Sequence, residues 1–175
     1  MKKITQYIFF FIVALLFTSC ASSSGNLSPE KTQSLVDSKA FTFMAERANP
    51  TDQTVIGIMN SFPGNAGRTF TLDPGYKVDF TENTMQVNLP YFGRNYQPSL
   101  NPSKSGYTFE SKNFTVQKAP SKKNKTVLQY TVNDASEVRQ MFLEIFPNGR
   151  AYLSISSNTR QPIAYDGFIT ETSSK

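Results

Sequence analysis

A chain of 175 residues is long enough for one domain with a real core. It has no histidine and one cysteine, which removes the usual metal ligand, the usual general base near neutral pH, internal disulfides and thiolate metal clusters. The formal charge of +5 is small and scattered, unlike the clustered basic footprint of a nucleic-acid binder, so no nucleic-acid partner and no metal or other cofactor is expected.

Met1-Lys2-Lys3 is a short positive start, and Tyr7 to Phe17 is an unbroken apolar run. Eleven residues make roughly 16 Å of helix, against a bilayer core of about 30 Å, so the run is too short for a stable span. It reads as the hydrophobic region of a signal peptide covering residues 1–19. Thr18 and Ser19 lead into Cys20, and Ala21 to Asn26 form a polar tether. The pattern resembles the lipobox of bacterial lipoproteins, whose cysteine is acylated and becomes the new N-terminus. Phe17 departs from the Leu or Val common at its position. The resemblance implies that Cys20 is lipidated and holds the protein to a membrane, stably if two or more acyl chains are attached. Loss of Lys2 and Lys3 with the signal lowers the charge from +5 to +3. The one dense basic cluster, Lys118 with Lys122, Lys123 and Lys125, reads as a solvated loop, with a weak contact with anionic lipid or polysaccharide as the alternative.

After a tether over residues 20–27, a helix is expected over residues 28–39. Ser28 is placed to cap it, Pro29 suits the first helical position and Glu30 the first turn. From Ala40 the apolar period changes to two, and residues 40–171 read as an antiparallel β domain, with 172–175 as a tail. Phe41 and Phe43 share a face. Val55, Ile56, Ile58 and Met59 form a second short run, and Phe70 and Leu72 alternate with threonines. Val78 and Phe80 turn at Glu82-Asn83 into Met85, Val87 and Leu89, a hairpin pattern. Tyr107 with Phe109, Phe114 with Val116, and Leu128 with Tyr130 and Val132 continue the rhythm. Met141, Leu143 and Ile145 reach Pro147-Asn148-Gly149, and Asn-Gly between two apolar runs signals a hairpin. The return strand passes through Leu153 and Ile155, and Ile163, Tyr165 and Ile169 close the chain. The fold expected is mainly β: a single antiparallel sandwich or barrel of nine or ten strands with a short N-terminal helix. Met141–Phe146, apolar on both faces, reads as a central strand with the helix as a candidate cover. Asn60–Arg68 and Gln97–Ser105 read as loops.

The densest chemistry lies in Tyr91-Phe92-Gly93-Arg94 followed by Tyr96. These residues suit a binding lip, with rings to stack on a ligand and Arg94 to pair with an anion. The reading favoured over this one is the end of a core, with Arg94 tied to carbonyls or a buried acid. Arg160, in a polar turn, is a second candidate, and an anion site would need Arg94 and Arg160 to converge. The carboxylates Asp73, Asp79, Glu110, Glu144 and Asp166 offer pairs only by chance. Ser103-Lys104, Ser111-Lys112 and Ser121-Lys122 lack the separation and buried setting of a serine–lysine dyad. No catalytic set is identified, and the protein is expected not to be an enzyme.

Three segments carry a family resemblance: Leu35 to Lys39 leading into Phe41 and Phe43, Leu89 to Arg94 with Tyr96, and Ser154 to Gly167. Together they resemble Bacteroidetes-type lipoproteins catalogued as a domain of unknown function. The resemblance implies one secreted or lipid-anchored β-rich domain after an N-terminal helix, and no known activity. Residues 21–26 contain no acid, unlike the acidic export tag of surface lipoproteins in that phylum. By analogy the protein is expected in the cell envelope, on the outer membrane facing the periplasm. A non-enzymatic structural or protein-interaction module is the first expectation. The alternative is a binding lipoprotein for a small hydrophobic or glycan ligand, which an open apolar cavity would favour. Changing Cys20→Ser is expected to leave the protein unprocessed or soluble in a membrane fractionation. A cleaved form that stays stably on the membrane would contradict acylation.

Overall fold

A computed structural model of the chain describes residues 26–61, 70–96, 106–121, 124–135 and 137–172. The expected signal peptide, Cys20, tether residues 21–25, the loop 97–105, most of the loop 60–68, Lys122, Lys123 and the tail from 173 lie outside the described residues.

The helix start signal works as read. Helix α1 (Pro29–Ser38) is capped by Ser28, whose side chain accepts from the Lys31 N–H at 3.2 Å, with Pro29 in the first turn. Lys39 ends it in the left-handed conformation, φ 54°. Nine strands follow: β1 (Phe41–Pro50), β2 (Lys77–Phe80), β3 (Met85–Leu89), β4 (Tyr107–Ser111), β5 (Phe114–Ala119), β6 (Thr126–Val132), β7 (Val138–Ile145), β8 (Arg150–Ser157) and β9 (Ile163–Thr170). They form one antiparallel sheet in the order β4-β3-β2-β1-β9-β8-β7-β6-β5.

Every neighbouring pair is antiparallel, so the outermost strands β4 and β5 run in the same direction. Only Lys112 and Asn113 separate them. Tyr107–Ala119 is therefore one bent strand that pairs with β3 through its first half and with β6 through its second. This curls the sheet into a nearly closed barrel. Asp134 fastens the bend: its carboxylate accepts from the Ser111 hydroxyl at 2.5 Å and from the N–H groups of Lys112 and Asn113 at 2.8 and 2.9 Å. These bonds, the Ser111 hydroxyl's first, hold its carboxyl below the usual range.

The period-two pattern fills the interior. Met141, Ile155 and Ile163 stand in register across β7, β8 and β9, with Leu143, Leu153 and Tyr165 in the next row; all six are buried. Phe80 of β2 stacks on Tyr130 of β6 with centroids 4.7 Å apart, although these strands are not neighbours in the sheet. That contact crosses the barrel interior.

Four local expectations are corrected. Val55 to Met59 lie on a helix, α2 (Gln53–Asn60), not a strand. Asp52 caps it by accepting from Thr54 and Val55, and a short apolar run does not by itself separate helix from strand. Phe70–Leu72 makes one isolated bridge, Thr71 to Arg47, rather than a strand. β7 is buried on one face only: Phe142 is half-buried and Phe146 exposed. Helix α1 is not the cover of that strand: its Leu35 and Val36 join the core at the barrel mouth, and of Phe142 and Phe146 only Phe146, beyond the strand's end, lies beside the helix across a cleft.

The β1–β9 register shifts between Ala45 and Arg47, and Gly167 stands opposite Ala45. A Cβ at Gly167 would sit 1.9 Å from the Met44 carbonyl oxygen, so only glycine lets the two backbones approach this closely. Gly167→Ala is expected to destabilise the domain by about 2–3 kcal/mol in urea unfolding. An unchanged unfolding midpoint would refute this account of the bulge.

Candidate functional site

The two ends of the barrel differ. At the end reached by the C-termini of β3 and β8, the segment carrying the sequence candidates folds over the opening. The Tyr91 hydroxyl lies 2.9 Å from the Arg94 carbonyl and 3.2 Å from the Gln161 carbonyl, and its ring meets Tyr107 edge-on at 5.6 Å. Phe92 packs edge-on against Phe70 at 5.7 Å. The Tyr165 hydroxyl donates to the Pro90 carbonyl at 2.6 Å. Burial raises the pKa of Tyr91 and pushes Tyr107 up to about 12.

Arg160, not Arg94, is the tie. It is 4% exposed, donates to the Gly106 carbonyl at 2.8 Å, and pairs with Glu137 at 3.2 Å. Its guanidinium carbon lies 5.2 and 5.0 Å from the Tyr91 and Tyr107 ring centroids, a double cation–π contact. Arg94 is exposed, and its main chain does the holding: its N–H faces the Gln161 side-chain oxygen at 3.3 Å, and its carbonyl accepts from the Gln161 N–H at 3.1 Å. Asn95 bridges Arg160 through the backbone. The segments of Arg94 and Arg160 thus meet, but one guanidinium is buried among partners and the other faces out. Of the five candidates, Tyr96 is 61% exposed, Tyr91 and Phe92 are part of the packing, and Arg160 is buried while Arg94 is exposed. Cys20 lies outside the described residues.

The opposite end is open. There α1 lies across the mouth, and two clefts follow one another along it, one beside its C-terminal end and one beside its N-terminal half, with Val36 common to both. The first, about 290 Å³, has an apolar floor of Phe41, Phe80, Phe114, Leu128 and Tyr130, with Val116 on its wall. Asp37, Lys39, Glu82 and Lys118 form its rim. The second, about 360 Å³, lies between α1, Ile145, Thr126 and the exposed ring of Phe146. Thr126, Leu128 and Tyr130 alternate along β6 and point the same way, so they form one floor beneath both clefts. Thr32 lines the second cleft; it is 5% exposed, and among the described residues its hydroxyl has no hydrogen-bond partner. Val116 and Phe146, two of the large apolar side chains left exposed, border this groove. The groove exists because β2 and β3 are short: their turn at Thr81–Thr84 ends before β5 does, and β5 pairs on one side only.

Sequence reasoning missed this site. Its apolar residues come from α1, β1, β2, β5 and β6 and read singly as helix or strand faces, while Lys118 on its rim, read as part of a solvated loop, lies on β5. The one local signal was Val116, an apolar residue on a strand that is otherwise polar from Thr115 to Lys118. Among the described residues no metal-binding cluster is present, and no helix is long and apolar enough to cross a membrane.

A model of the domain of unknown function DUF4251 matches residues 25–169. The fold is similar to the crystal structure of a DUF4251 family protein from Bacteroides eggerthii DSM 20697, with a TM-score of 0.51 and 9% identity over 86% of this chain and 91% of that one. No curated protein matches the chain.

Two substitutions separate the arginines. Arg160→Ala is expected to cost about 2–3 kcal/mol of stability, from a lost carbonyl bond, a lost cation–π pair and an orphaned Glu137. Arg94→Ala is expected to stay within about 0.5 kcal/mol of the parent. Equal losses in urea unfolding would contradict the assignment of the tie to Arg160.

Proposed function

The chain belongs to the DUF4251 family, and we propose that it is a lipid-anchored envelope protein whose barrel carries a binding groove for a small, largely apolar ligand. The observation that carries this is the groove beside α1: apolar floor, charged rim and exposed apolar walls at the mouth of the barrel. Val116 and Phe146 are exposed beside a concave apolar floor rather than on a flat outer face, which favours a small ligand over a protein surface. The ligand-binding alternative therefore moves ahead of the structural module favoured by sequence. The anchor is Cys20, supported by the apolar run before it and the polar tether after it, and the outer membrane facing the periplasm remains the proposed location. No reaction is assigned to the protein. The interaction reading retains one observation, the 55% exposed Ile58 on α2, a helix with no buried residue.

Native mass spectrometry of the protein, purified gently from its own envelope, tests the proposal. A retained mass of a few hundred daltons, lost on denaturation, is expected. A clean apo mass from several gentle preparations would contradict ligand binding and return the interaction module to first place.

A further inference from the structure

We infer that the groove along α1 takes the acyl chain of a membrane lipid, drawn from the membrane that holds the protein; this rests on the binding function proposed above.

Shape is the first support. The two clefts share Val36, and Thr126 in one alternates along β6 with Leu128 and Tyr130 in the other, so together they form an elongated rather than a globular site. Helix α1, which borders both, is ten residues long, or about 15 Å. A single extended hydrocarbon chain fits a groove of that form. The apolar end, walled by Phe80, Phe114 and Val116, suits the tail. The other end holds the Thr32 hydroxyl, buried and without a partner among the described residues. A buried hydroxyl left unpaired is costly, and the ester carbonyl of a lipid would satisfy it.

Position is the second support. Leu27 is fixed at the groove's end of the barrel: its N–H donates to the Asn148 carbonyl at 2.9 Å, and its side chain packs over Gly149 in the β7–β8 turn. From Cys20 to Asn26 the chain spans at most about 20 Å when extended. An anchor at Cys20 therefore keeps the polar end of the groove close to the bilayer, while the segment bearing Arg94 and Tyr96 points away.

The test uses the chain from Ala21 onward, which contains every strand and helix described, and the acylated protein beside it. Each is incubated with phosphatidylethanolamine–phosphatidylglycerol vesicles, repurified and analysed for retained phospholipid. Binding of dansyl-undecanoic acid is measured in parallel. We expect about one phospholipid per chain for both proteins and saturable probe binding. Val116→Glu, at an exposed wall position, should weaken the probe at least tenfold with an unchanged melting temperature. Ile58→Glu, equally exposed but on α2, should stay within twofold. Equal probe affinity for Val116→Glu and parent would overturn the site. Retention by the unacylated chain alone would assign the groove to the protein's own anchor and overturn the source. A non-lipid mass held in native spectrometry, with no lipid or probe retained, would remove the lipid assignment and leave the binding function standing. Failure of both would remove both.

Discussion

The bent strand from Tyr107 to Ala119 decides most of what this domain can do. A nine-stranded sheet with two free edges invites association along its edges. Here the outermost strands are two halves of one segment, so the halves use opposite edges and the sheet closes on itself. The bend at Lys112–Asn113 has no helix or disulfide to hold it; the Asp134 carboxylate does so with three hydrogen bonds. Closure then brings β2 and β6 face to face across the interior, where Phe80 stacks on Tyr130.

The same closure makes the groove unavoidable. Because the β2–β3 hairpin is short, the second half of the bent strand runs on past its would-be neighbour. The gap is covered in part by α1, whose Leu35 and Val36 are its only substantial apolar pair. A ten-residue helix with so narrow an apolar face cannot seal the mouth of a barrel, and apolar walls remain uncovered along its length. At the other end the Leu89–Tyr96 segment does seal the barrel, with Arg160 held between two phenol rings as the bolt. One end is built for stability and the other is left open.

Much of this was legible in the sequence because local signals and tertiary roles coincide. Ser28 and Pro29 mark the start of α1, Asn148-Gly149 marks the β7–β8 turn, and strict alternation marks β3 and β8. Where a signal was purely compositional it left the element type open. The apolar run at Val55–Met59 fits strand or helix, and the Asp52 cap settled it. At Tyr91–Tyr96 the aromatic and cationic density divides between packing, at Tyr91 and Phe92, and exposed side chains, at Arg94 and Tyr96, whereas the groove is assembled from residues as distant in sequence as Pro29 and Pro147. Arg94 and Arg160 look alike as sequence. Only the barrel's closure, which brings Tyr91 and Tyr107 together, separates a buried tie from a surface cation.

The central claim is that the functional surface lies along α1 and β6, not at the Tyr91–Tyr96 end where the sequence chemistry is densest. Titration of the ¹⁵N-labelled domain with decanoate, followed by amide chemical shifts, tests it most directly. Saturable shifts are expected at Val36, Val116 and Thr126 to Tyr130, with Arg94, Asn95 and Tyr96 unmoved. Shifts confined to Tyr91–Tyr96 and Arg160, with the α1 groove silent, would contradict it.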